Sequence, residues 1–224
     1  MADTIGGGIN EDGSVQNTLV IDEQYANRID IIGLDNAGVT ELAVNKPIKN
    51  FDIGLKGDKD VVIAGARIVG ANIVNEAPKG ETASLTLEVA KAKKFEFEAT
   101  GEGNTELTVA AGKLPKAQIF TSSGDDSINF AASSIVKSVN LDTGDGNDTI
   151  VFNGRLKGKQ NILKTGDGND VIEINRKGRG KLRITDFSDT DTLIITDKND
   201  KTTTITTDNL DDAPKWITFG GDPR

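Results

Sequence analysis

The feature that most constrains this chain is a ladder of positions that recurs with a period of about 22. Three segments align without gaps: TSSGDDSINF at 121–130, TGDGNDTIVF at 143–152 and TGDGNDVIEI at 165–174. Asp126, Asp148 and Asp170 fall in register, and Ile128, Ile150 and Ile172 follow two places later. The ladder continues more weakly, backward through Leu107, Leu85, Ile63 and Leu42 and forward to Leu193. Every step equals the one from Asp126 to Asp148 or is one position shorter. A period of this length belongs to stacked repeat architectures, in which one unit cannot bury its apolar face alone and must lean on its neighbours.

Within each period the pattern predicts two short strands. One is Asp148 to Phe152 and its equivalents; the other is Val139 to Leu141, matched one turn later by Ile162 and Leu163. Glycine-rich turns separate them. The stretch from Glu88 to Phe97 could pass for a helix, but Phe95 and Phe97 alternate with Glu96 and Glu98, which is a strand period. Two strands and two turns per period describe one coil of a parallel β-solenoid. The fold expected is therefore all-β: a right-handed parallel β-solenoid or β-roll of about nine coils, a rod about 40 Å long at about 4.8 Å per coil. Residues 1–16 are expected to form an N-terminal cap or arm, and 17–118 degenerate coils. Residues 119–200 would form the motif-bearing coils and 201–224 a C-terminal cap. Trp216, Ile217 and Phe219 would plug that end, since uncovered end strands invite edge-to-edge pairing.

Composition removes much chemistry. The 224 residues include no Cys and no His, so disulfides, thiolate or imidazole metal sites, a Cys nucleophile and a His base are excluded. A bound metal must be a hard cation held by oxygen. Lys and Arg number 26 against 35 Asp and Glu, a formal charge of -9, which argues against a nucleic-acid partner. The acidic residues recur with the repeat rather than forming one unique pair, so no enzyme is expected. No membrane span is expected either, because no apolar run approaches the roughly 18 residues such a helix needs. The acidic, Gly-rich stretch from Met1 to Asn10 does not read as a secretory signal peptide.

The turns Gly144 to Ile150 and Gly166 to Ile172 carry the strongest chemical signal. Glycine lets a backbone curl through positive φ, so that carbonyl oxygens can point into the turn, and the closing Asp adds a carboxylate. Stacked turns would then surround a gap suited to calcium, which takes 6–8 oxygens at roughly 2.3–2.6 Å. A plainer reading is a tight Gly-Asp turn without metal. However, carboxylates stacked about 5 Å apart repel unless something neutralises them. The earlier turns, Gly57 to Asp60 and Gly101 to Thr105, read as metal-free: one carries a Lys, and the other has Thr in place of the key Asp.

These turns resemble the RTX (repeats-in-toxin) calcium-binding nonapeptide, Gly-Gly-x-Gly-x-Asp-x-apolar-x. Thr143 and Thr165 stand where the first Gly would be, and the copy at Ser122 to Asp126 keeps only the second of its glycines. The segment Leu182 to Leu193, with Ile184-Thr-Asp186-Phe187, is similar to the segment that often closes RTX rolls. The resemblance covers roughly residues 119–196. In the family each coil holds two nonapeptides, with a calcium turn on both sides. Here the period is longer and one turn per coil bears the motif, which implies one row of ions. Three turns leave two gaps, hence about two sites: Asp126 with Asp148, and Asp148 with Asp170. Carbonyls of Gly144, Gly146, Gly166 and Gly168 would complete them, and Asp191 could close a third.

A second ladder is basic: Lys94, Lys116, Lys137, Lys159 and Lys181 recur with the same period. Arg155 would pair with Lys177 and Lys157 with Arg179, widening the strip. Its plainer reading is a solvated face that deters aggregation. Its sharper reading is a docking strip for an acidic surface such as an anionic polysaccharide or another shell protein. The function expected is a structural component of an outer shell, either a virion decoration or appendage or a surface-layer unit. It would lie on the exterior of a particle or cell, with self-assembly as one route to the shell. The alternative is an RTX-like adhesin or matrix module exported by a type I system. An ice-binding solenoid is disfavoured, because no flat row of Thr recurs through the coils.

Overall fold

The computed structural model describes residues 3–6, 18–21, 29–32, 41–44, 48–56, 60–159, 161–175 and 180–220. Its strands stack in parallel on two faces. On the long face the order is Thr18–Ile21, Glu41–Val44, Asp60–Glu76, Thr82–Ala99, Asn104–Ala111, Ser127–Phe130, Thr149–Phe152, Val171–Asn175 and Thr192–Thr196. On the return face it is Asp3–Gly6, Ile29–Ile32, Ile48–Lys56, the same two long strands, Ala117–Phe120, Asn140–Asp142, Asn161–Lys164, Leu182–Ile184 and Ile217–Phe219. The protein is a parallel β-solenoid, and among the described residues nine strands follow one another on the long face.

The coil has a third side that the sequence does not disclose. Leu114–Pro115, Ile135–Lys137 and Arg155–Lys157 form their own short parallel ladder. In the 17-residue strand Asp60–Glu76 and the 18-residue strand Thr82–Ala99 the chain passes from one face to the other without a break. In later coils corners at 112–113, 131–134 and 153–154 interrupt it. The coils that follow Asp126 and Asp148 therefore run through an Asp-bearing turn, the long face, a corner, the short side, a second corner and the return face.

Strand alternation explains the core. Along Thr149–Phe152, Ile150 and Phe152 point inward with 0% and 1% exposure, while Thr149 and Val151 face out. Each such side chain contributes roughly 1.5–3 kcal/mol by leaving water. Equivalent residues lie directly above one another: Phe130 and Phe152 stack with centroids 4.8 Å apart and planes 5° from parallel, so the ring spacing is the rise of the coil.

The apolar ladder holds from Leu85 through Leu107, Ile128, Ile150 and Ile172 to Leu193, and Leu42 pairs with Ile63 as expected. One rung differs. Ile63 pairs with Leu87, and Leu85 with Val61. The turn between those strands contains Pro78 and Gly80, with the Glu81 N–H donating to the Pro78 carbonyl at 3.0 Å. It makes that coil longer by one strand alternation, so the inward pattern is preserved while the pairing slips.

At the C-terminal end, Thr202–Ile205 turns back antiparallel on Thr192–Thr196. A 3-10 helix, Thr207–Asp212, leads to Ile217–Phe219. Phe219 packs its ring 5.0 Å from Phe187 and is 6% exposed; Trp216 packs partly buried against the core. These side chains extend the apolar core at that end, with Ile217–Phe219 as a further rung on Leu182–Ile184. The expected N-terminal cap instead begins as a further rung, Asp3–Gly6 on Ile29–Ile32; the rest of residues 1–16 lies outside the described residues. Among the described residues, no helix is long and apolar enough to cross a membrane.

Candidate metal centre

The turn sequence TGDGND gives nearly every residue its own column. Gly144 and Gly166 have φ of 85° and 87°, and Gly146 and Gly168 have φ of 141° and 147°. A Cβ on Gly166 would fall 1.7 Å from the Gly144 carbonyl oxygen, and one on Gly168 would fall 1.8 Å from that of Gly146. The turns therefore press carbonyl against Cα with no room for a side chain. On the outer rim an amide row runs up the stack: Asn147 donates its N–H and Nδ2–H to Asp125 Oδ1, and Asn169 does the same to Asn147 Oδ1, at 2.8–3.2 Å.

Inside the turn lie the acids. Asp126, Asp148, Asp170 and Asp191 are only 0–2% exposed. The Oδ1 of each accepts a peptide N–H from the coil before: Thr105 to Asp126 at 2.7 Å, Asp126 to Asp148 at 2.8 Å, Asp148 to Asp170 at 2.9 Å and Asp170 to Asp191 at 3.2 Å. Thr121 and Thr143 make a parallel hydroxyl row, each donating to the carbonyl of the Thr one coil on, at 2.7 and 3.1 Å. In sequence these threonines read only as a departure from a glycine pattern. Their role as buried rungs escapes that reading, although their strict recurrence beside the Asp is its signal.

One oxygen of each central acid is left over. Oδ2 of Asp126, Asp148 and Asp170 is buried without a well-formed hydrogen bond among the described residues, and so is Thr165 Oγ1, although the hydroxyls of Thr121, Thr143 and Thr165 lie near enough to act on the three carboxyls. Burial, opposed only in part by nearby Thr hydroxyls and peptide N–H groups, pushes the Asp148 carboxyl up to about 8 and those of Asp126 and Asp170 up to about 6. The column thus resists negative charge unless a proton or a cation arrives. Its donors are all hard: carboxylate, hydroxyl and peptide oxygen. Buried carboxylate oxygens of this kind are the hard donors that an oxygen-seeking cation such as calcium takes. Among the described residues no three carboxylates converge, so any ion would depend on neutral oxygens for most of its shell. Asp191 differs: its Oδ2 already accepts the Ser188 N–H at 2.7 Å, so it closes the column without an orphaned oxygen for a third ion.

The basic residues fall differently from the expected single column. Lys94 and Lys116 share a left-handed corner with Ser138, at φ of 54°, 60° and 59°. Lys137 lies opposite Lys157 and not Lys159, because Ser138 takes the place equivalent to Lys116. Lys137, Arg155, Lys157, Lys159 and Lys181 are nonetheless all exposed on or beside the short side. Lys177 and Arg179 lie outside the described residues. No protein-family model, no curated protein and no solved structure matches the chain.

Proposed function

We propose that this β-solenoid is a non-enzymatic structural element of an outer shell, of the virion-decoration or surface-layer kind, whose Asp-bearing coils are braced by calcium. The observation that carries the metal reading is the column of three orphaned oxygens, Asp126 Oδ2, Asp148 Oδ2 and Asp170 Oδ2, in one buried stack. Asp126 with Asp148, and Asp148 with Asp170, would hold the ions, with carbonyls of Gly144, Gly146, Gly166 and Gly168 completing the shells. When bound, the ion supplies the positive charge that lets both carboxylates of a pair ionise inside the rod. The chain's own residues position it: the peptide N–H groups fix each Oδ1, and the glycines bring adjacent turns into contact.

A second reading, an RTX-like adhesin or matrix module exported by a type I system, is favoured by one coincidence. The Asp column occupies the same coils as the RTX-like motif, and weak sites filled only at extracellular calcium levels, about 10⁻³ M, would couple folding to export. Calorimetric titration tests what the two readings share. About two ions per chain, with a raised melting temperature, is the expected result; no heat at millimolar calcium overturns the metal. Antibody labelling of intact particles or cells tests the shell, which fails if the chain lies wholly inside.

A further inference from the structure

Charge is sorted around the coil. The segments 111–116, 131–138 and 153–159, which occupy the short side and its corners, contain two, one and three Lys or Arg and no Asp or Glu, and 89–94, the neighbouring stretch of the unbroken strand Thr82–Ala99, contains three and again no acid. The corresponding stretch of sequence, 176–181, adds four more and again no acid. The turn segments 100–105, 121–126, 143–148, 165–170 and 186–191 contain one, two, two, two and three Asp or Glu and no Lys or Arg. The inward acids of those turns are buried, but Glu102, Asp125, Asp145, Asp167 and Asp189 are exposed, as are Lys93, Lys113, Lys116, Lys137, Arg155, Lys157 and Lys159 across the coil. None of these takes part in an ion pair among the described residues except Glu102, which meets Lys79 at 3.8 Å. The circuit of the coil puts the short side across the core from the turn. The two strips therefore run along opposite sides of one rod and repeat with the same rise.

From this arrangement we infer that the chain associates laterally with copies of itself, the acidic turn edge of one rod lying along the basic short side of the next. A single exposed ion pair contributes little. Rows with matched spacing, drawn from the same stack, align several pairs at once without bending either rod. The contact is heterologous, the two surfaces being different, so it leaves a free acidic edge at one end and a free basic side at the other and propagates as an open layer. The inference deepens the shell reading by naming a second copy as the neighbour, and it does not depend on calcium.

The test is sedimentation of the full chain, with calcium and with chelator, at about 20 mM and about 500 mM salt, where the screening length falls from roughly 20 Å to about 4 Å. Concentration-dependent association is expected at low salt, weakening at least about tenfold at high salt. The variant Lys137→Glu, Arg155→Glu, Lys157→Glu and the variant Asp145→Lys, Asp167→Lys should each be monomeric alone, with unchanged circular dichroism, and should associate when mixed. Recovery on mixing is something damage to the fold could not produce. A wild-type chain monomeric at low salt, or variants that associate like wild type, overturns the inference. So does a monomeric chain that binds an immobilised anionic polysaccharide through the same three basic residues, which would assign the strip to that ligand. Exterior labelling would leave the shell reading standing in each of these cases.

Discussion

The coil that turns at Gly101–Thr105 and the coil that turns at Gly144–Asp148 close alike but carry different chemistry. A Cβ on Gly101 would lie 1.8 Å from the Ala77 carbonyl oxygen, as crowded as the 2.1 Å between one on Gly144 and the Ser122 carbonyl oxygen. Yet the first turn ends in Thr105, whose buried position needs no counter-charge, and the second in Asp148, whose carboxyl burial pushes up to about 8. Close stacking belongs to the glycines and the demand for positive charge to the acids. The glycine column begins one coil before the acid column.

If that separation is right, the largest effect should fall on both turns equally. Gly101→Ala and Gly166→Ala should each cost roughly 3 kcal/mol or more in chelator, measured by denaturant unfolding, because backbone must move to admit the methyl group. A mild effect at either would break the steric account. Next, Asp148→Asn should weaken calcium binding at both gaps by at least about tenfold while keeping the Oδ1 that Asp126 uses. Titration that loses only one site would contradict a shared carboxylate.

A smaller effect separates the turns by pH. The folded-state carboxyls bind protons more tightly than unfolded ones at 3.8. The stability this confers is whole below the unfolded value and is lost as pH rises to about 6 for Asp126 and Asp170 and about 8 for Asp148. In chelator the melting temperature should therefore fall between pH 4 and pH 8, and saturating calcium should flatten the slope; a rising curve in chelator would refute the buried-acid argument. The smallest effect concerns the corner: Ser138→Gly should stabilise by about 1 kcal/mol or less, by relieving a non-glycine φ of 59°. An equal or larger loss on substitution would mean that the corner is held by the hydroxyl.

Much of this architecture was legible because a solenoid writes its period into the chain. Ile128, Ile150 and Ile172 are one column in sequence and in space, and the acids travel with them. What failed did so where period and register part. The longer turn around Pro78 and Gly80 shifts Ile63 onto Leu87, and no count of apolar positions distinguishes that from Leu85, since both face inward. The lysines misled for the opposite reason. Surface side chains need not keep column to satisfy packing, so Lys137 and Lys159 share a spacing without sharing a rung. The short side was hidden because Arg155–Lys157 offers a single inward residue, Leu156, too brief to show an alternation.

The Asp column also has a direction. Each carboxylate's Oδ1 accepts a peptide N–H of the preceding coil, and at Asp191 Ser188 of the same turn also holds the second oxygen. That turn can set its carboxylate without a partner coil, and every earlier turn takes the acceptor for its Asp N–H from the turn after it. Considered as a one-dimensional crystal, the rod has a polar axis: each acid takes a peptide N–H from the coil before it, and the residue after each acid returns an N–H to the carbonyl of the earlier acid, so neighbouring turns hold each other from both sides.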